Sequence, residues 1–445
     1  MNTVYRRIGL PIAGLATGQA LLSTSSTTMT NINNYSQSEK AHHSESDSDN
    51  GTRTTTLHHQ KTSLTPRPKL LFVGTGSSTG CPKPLCSMLF GPNNNSNHNK
   101  GVGVVGSSPE IQRLRSEYQD KRRTSSVATQ GDPKQNKNYR NNPSLLITHV
   151  VCSDTNNNCI NKNNDNDDNA ALLECKNILI DAGKTFREGG LRWFPEHGIA
   201  TLDAIILTHH HMDAAGGLDD VRGFQKVKSL GTSFGKPPQM VPMPVHLSQD
   251  CLDDVSDRFP WLFPDHHQKS SSSLPDNNNN KTGAFYSSGN VAGTPTVERH
   301  VASFDVQVFE SYQPMNVQGL KIIPLPVWHG DDLISHGFAF QIQGTNVVYI
   351  SDISRMVPKT MDYIMTKLPP TDILIVDSLL PEKPHAVHYS ATQAIALSQE
   401  MKAKQTYLIG MNCDAFRLHE EVNHDLRKRY GGKILLAYDG QTIDL

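Results

Sequence analysis

The sequence predicts a layered α/β fold, with β-sheets packed face to face and helices outside them. Three observations carry this expectation. Short runs of β-branched and aliphatic residues recur between turn signals, and segments of helical periodicity follow several of them. The 445 residues, once their polar low-complexity tracts are set aside, amount to one large domain.

Taken in chain order, strands are expected at 69–73, 144–151, 177–180, 204–208, 245–247, 306–310, 320–324, 337–343, 346–350 and 373–376. Helices are expected at 217–229, 249–259, 360–367, 390–402 and 419–430, the fourth opening at a Ser390 cap. Polar, Asn-rich tracts at 91–142, 153–170 and 267–299 read as low-complexity insertions in a domain spanning 66–445. Residues 1–65 read as a disordered leader outside that domain. Arg6, Arg7, abundant Ser and Thr and no acid before Glu39 fit a transit peptide for a mitochondrion or plastid. Two alternatives stay open: a disordered N-terminus on a cytoplasmic protein and, third, a secretory signal.

Composition excludes several classes. Lys and Arg number 42 against 43 Asp and Glu, a formal net charge of -1, so no strong nucleic-acid or anionic-membrane signal exists. No apolar run is long enough to span a bilayer. Seven cysteines, odd in number and without a CxxC pair, do not form a secreted disulfide framework and point to an intracellular, reducing compartment.

The chemistry concentrates at strand ends. The apolar run 204–207 delivers Thr208-His209-His210-His211-Met212-Asp213 into a glycine-containing turn. In an extended segment His209, His211 and Asp213 point to one side, so two imidazoles and a carboxylate can converge on a cation while His210 points away. Asp181, His329 and Asp352 each end an apolar strand in the same manner. The Gly74-Thr75-Gly76 segment after the first strand is neither a P-loop nor a dinucleotide fingerprint, because Cys81 and Pro82 stand where those motifs need other residues.

Together, Gly74-Thr75-Gly76, Ile180-Asp181-Ala182-Gly183, Thr208-His209-x-His211-x-Asp213, Trp328-His329-Gly330 and Tyr349-Ile350-Ser351-Asp352 resemble the metallo-β-lactamase superfamily. The segment ending Gly-Leu-Asp-Asp-Val-Arg222 is most similar to its phosphoribosyl cyclic phosphate phosphodiesterase branch and the plant and fungal relatives of that branch. The resemblance implies a four-layer αββα sandwich with a metal site at one edge. It implies that His209, His211, His329 and Asp352 hold a first divalent transition metal. Zinc is favoured, with manganese and iron as alternatives. Asp213 is then a ligand of a second ion bridged by Asp352, and Asp181 orients a ligand through hydrogen bonds.

Two departures stand out. Ala214 and Gly410 occupy positions where the family carries histidines of the second site, so one tightly bound ion is expected. Some members also hold a structural zinc with cysteines near the first turn; Cys86 and Cys413 are the remnants of such a site, or else buried free thiols. Pro384-His385-Ala386-Val387-His388 resembles the family's His-Pro-Thr-His segment, which implies that His385 or His388 contacts a phosphate or protonates a leaving oxygen, with Asp213 positioning water. The expected activity is metal-dependent hydrolysis of a small cyclic or sugar phosphodiester. The rivals are an RNA-end or thioester hydrolase on the same fold, and a metal-binding scaffold without catalysis. Oligomeric state is not legible.

Overall fold

The protein is described from a computed structural model covering residues 67–90, 108–118, 123–152, 173–229, 239–266 and 301–445. The leader 1–65 and the tracts 153–170 and 267–299 lie outside the described residues. The strands are β1 (Lys69–Gly74), β2 (Ser144–Cys152), β3 (Leu173–Ile180), β4 (Ala204–Ile206), β5 (Val227–Ser229), β6 (Gln239–Met240), β7 (Met243–Leu247), β8 (Phe304–Val308), β9 (Met315–Val317), β10 (Leu320–His329), β11 (Leu333–Ile342), β12 (Thr345–Ile350), β13 (Ile373–Asp377), β14 (Gln405–Ile409), β15 (Ile434–Leu436) and β16 (Thr442–Asp444). One seven-stranded sheet runs β16-β1-β2-β3-β4-β7-β8, the other β15-β14-β13-β12-β11-β10-β9, and β5 and β6 form a separate ribbon.

Strand alternation divides the apolar residues among three interiors. Leu70, Phe72, Ile178 and Ile180 from the first sheet meet Phe338, Tyr349, Ile373 and Ile375 from the second, filling the space between sheets. Their neighbours Leu71, Val73 and Leu179 face outward onto helices α4 (Phe186–Trp193) and α6 (Gln249–Arg258). On the far side, Val348, Leu374, Val376 and Leu408 pack against α7 (Pro358–Lys367), α8 (Ala391–Glu400) and α9 (His419–Tyr430). This is the expected αββα sandwich, and burial of both sheet faces explains why its central strands read as unbroken apolar runs. Ser390 caps α8 in a reciprocal capping box with Gln393.

Two expectations need correction. The helix expected at 217–229 is instead a 3-10 turn over Leu218–Phe224 followed by the strand β5, with the short α5 (Met212–Ala215) before it. Gly217, which precedes that turn, packs so tightly that a Cβ would lie 2.3 Å from the Gly183 carbonyl oxygen. The tract 91–142, expected as insertion, includes α2 (Pro109–Tyr118) and α3 (Arg123–Ala128), and its end is buried. Arg140 donates to Thr75 Oγ1 (2.8 Å) and the Ala437 carbonyl (2.7 Å), with His419 Nδ1 at 3.0 Å. Arg140 and Asn142 are buried there with hydrogen-bond partners, a pattern that hydrophobic periodicity does not register. A further short helix, α1 (Pro84–Phe90), follows the Gly-rich turn.

β1, β3 and β4 run in one direction in the first sheet, as do β10, β12, β13 and β14 in the second. Their C-terminal ends lie along one edge, where the His336 amide donates to the Thr208 carbonyl across the two sheets at 2.9 Å. No helix of the described residues is long and apolar enough to cross a membrane.

Candidate active site

At this edge a His209, a His211 and a His329 nitrogen lie within 4.8 Å of one another. His209 leaves β4 and is 1% exposed, whereas His329 ends β10. Thr208 gives its one hydroxyl proton to Asp181 Oδ2 (2.9 Å), so His209 Nδ1, 2.8 Å from Thr208 Oγ1, must donate to that hydroxyl oxygen. His209 Nε2 is thereby left with a free lone pair, and it is buried without a partner. His329 Nδ1 donates to the Val387 carbonyl (2.8 Å), which directs its Nε2 to within 3.2 Å of His211 Nδ1. Two nitrogens bound to one tetrahedral zinc at ~2.0–2.1 Å stand roughly 3.3 Å apart, so these imidazoles fit a metal. Burial holds His209 well below the ordinary histidine range, and burial together with His329 lowers His211, keeping both neutral as ligands must be.

Carboxylates surround the imidazoles. Asp181 and Asp352 end their strands with left-handed φ of 62° and 51°, conformations uncommon for any residue but glycine. Burial raises Asp181 well above the usual carboxylate range, against the pull of its Thr208 bonds. Burial and the neighbouring Asp352 also raise Asp213. A cation among these carboxylates relieves both effects. Asp352 meets His329 and His388, with one donor atom of each within 4.8 Å of the others. His388 Nδ1 donates to Asp377 Oδ2 at 2.7 Å, and the Asp377 pairing lifts His388 to about 9 although burial alone lowers it.

Residues 176–411, strands β3 to β14 with all of these side chains, match the family described as the beta-lactamase superfamily domain. The chain belongs to the metallo-β-lactamase superfamily. Among curated proteins it is similar to an octanoyltransferase from Porphyromonas gingivalis, 24% identical over 246 residues, covering 55% of this chain and 38% of that one. It is also similar to Endoribonuclease YSH1 from Kluyveromyces lactis, 24% identical over 216 residues, covering 47% of this chain and 24% of that one. The matches therefore span well under half the length of these relatives. Among solved structures, a diphosphatase from the PhnP family is 21% identical, with 85% of this chain and 98% of that chain covered and a TM-score of 0.49. Zinc-bound PqqB from Methylobacterium extorquens is 14% identical, with 85% and 100% covered and a TM-score of 0.47.

The superfamily is one of hydrolases, and the fold with its His and Asp clusters implies binding of a divalent metal. The structure brings together His209, His211 and His329, and places Asp352 on the side of His388. Asp213, on α5, is 7% exposed, and the Asp181-Ala182-Gly183 turn is pressed so closely against it that a Cβ on Gly183 would stand 1.9 Å from the Asp213 carbonyl oxygen. His385 is exposed at the rim, its ring centroid 5.7 Å from that of His388. Cys413 clusters with Cys81 and Ala128, whereas Cys86 lies fully buried on α1. A hydrogen bond from the Cys81 thiol brings Cys413 down to about 7. Among the described residues no group of three metal donors includes Cys86 or Cys413.

Asp377 and Thr208 escaped the sequence reading. Asp377 closes the apolar run 373–376 as Asp181 and Asp352 close theirs, and that shared position was the available signal. Thr208 acts through its hydroxyl and has no metal-ligand chemistry to mark it.

Proposed function

We propose that this protein is a metal-dependent phosphodiesterase acting on a small cyclic or sugar phosphodiester. The observation that carries the reading is the convergence of three imidazoles, one of them with an orphaned buried nitrogen, beside a carboxylate cluster at an accessible sheet edge. When bound there, a divalent transition metal, zinc first among the candidates, polarises a phosphoryl oxygen and lowers the pKa of water toward ~7. His209, His211 and His329 hold it, and Asp181 fixes the His209 tautomer through Thr208. Asp213 positions the attacking water. His385, exposed at the rim beside His388, contacts the phosphate or protonates the departing oxygen. A small substrate is favoured because the near-neutral sequence shows no long basic arm for an RNA polymer. The endoribonuclease relative is compatible with phosphodiester chemistry on this scaffold.

Purified protein assayed with bis(p-nitrophenyl) phosphate, a ribose cyclic phosphate and an acyl thioester, with and without chelator, tests the proposal. Chelator-sensitive cleavage of the phosphodiesters over the thioester is expected. Preferential thioester hydrolysis would establish the rival hydrolase, and inactivity of a metal-replete sample would establish the scaffold.

A further inference from the structure

The losses at 214 and 410 are accompanied by a replacement. Gly410 has φ +77°, and an ideal Cβ on it would lie 2.2 Å from Asp377 Oδ1. Any side chain at 410 and the present Asp377 carboxylate are therefore mutually exclusive. Asp377 uses that room to hold His388 by its Nδ1 proton at 2.7 Å, so the other ring nitrogen is the one a cation can take by displacing its proton. The His388 side chain is 12% exposed, its ring centroid is 5.0 Å from that of His329, and its Nδ1 is 3.8 Å from Asp352 Oδ1. An imidazole fastened at one nitrogen to a fixed acceptor is also the state of His209 and His329.

We infer that His388, oriented by Asp377, replaces the absent imidazoles and completes a second cation site with Asp352 and Asp213. The inference rests on the proposed metal-dependent activity and changes the stoichiometry expected from sequence: the chain takes two ions, the second held by one imidazole and two carboxylates. Mixed nitrogen and oxygen donors suit manganese, iron or zinc at this position. Asp377 is a positioning residue, and the glycine at 410 is the condition for its presence.

Titration of cobalt(II) into the metal-free full-length protein, followed by visible absorption and calorimetry on a Cys413→Ser background, tests this without reference to catalysis. Wild type should take up two ions in resolvable steps. His388→Ala should keep the first step and abolish the second. Asp377→Asn and Gly410→Ala, which disturb His388 without removing it, should weaken only the second step, by about 10- to 100-fold. A single step in wild type, or a second step unchanged in His388→Ala, overturns the inference and leaves His388 as a proton donor. Loss of the first step in His209→Ala reports separately on the primary site, so failure of one reading is distinguishable from failure of the other. Should His388→Ala not fold, the Asp377→Asn and Gly410→Ala titrations decide between the same outcomes.

Discussion

The Asp181 carboxylate and the His209 imidazole are joined through the Thr208 hydroxyl, which donates to the first and accepts from the second. The metal-facing nitrogen of His209 is thus set by a carboxylate two bonds of hydrogen away. Thr208→Val removes the hydroxyl while keeping the backbone donation from residue 208 to Asp181 Oδ1. Metal affinity should fall about 10- to 100-fold with circular dichroism unchanged. Chelator competition measures it, and an affinity equal to wild type would refute the link.

His209→Ala and His329→Ala each remove one of three converging nitrogens. Elemental analysis of both purified variants should show most of the wild-type metal gone. Full metal content in the two variants would mean that the ion sits elsewhere.

Buried histidines set an acid limit. Burial brings His246, on β7, and His336, on β11, down to about 4. Between pH 4 and 6.5 the unfolded chain binds more protons at these rings than the folded one. Their contribution is complete above pH 6.5 and is lost as pH falls toward 4, by up to about 3 kcal/mol each. Thermal unfolding of metal-free protein at pH 7, 5.5 and 4.5 should show this decline, and a His246→Gln, His336→Gln double variant should flatten it. An equally steep decline in the double variant would assign the acid sensitivity to other groups.

Arg140 is a buried cation whose partners come from the turn after β1, from α9 and from the residue after β15. Arg140→Met strands the Ala437 carbonyl and breaks the Thr75 contact. A loss of about 3 kcal/mol is expected, read as a denaturant midpoint shift. A shift under about 0.5 kcal/mol would show that 123–142 contributes little to the fold.

A chain starting at Thr65 retains every described element and should fold and hydrolyse substrate as the full chain does. Insoluble or inactive protein from that start would show that the leader belongs to the domain.

The sandwich was legible because its central strands, buried on two faces, leave uninterrupted apolar runs such as 204–207 and 373–376. The edge strands β15 and β16 were not, having three residues each, too few to show a period. His209, His211, His329 and Asp352 were legible because metal-ligand residue types recur at strand ends. The pairing of Asp377 with His388 depends on a side chain that is absent at 410, and no local pattern at either residue encodes that vacancy.

β16 lies against β1 in antiparallel register, Lys69 opposite Asp444, and the Leu445 amide donates to the Pro68 carbonyl at 3.1 Å. The domain is in effect a loop of chain with a seam at one sheet edge, and the seam is a hydrogen-bonded ladder. A short peptide could join 445 to 68 without moving either strand. New termini could then be opened in the 267–300 connection, between β7 and β8, and the ligand-bearing strands would keep their order around the site. The hydrogen-bonded ladder already holds the two ends side by side, so the added link would change the connectivity and not the packing.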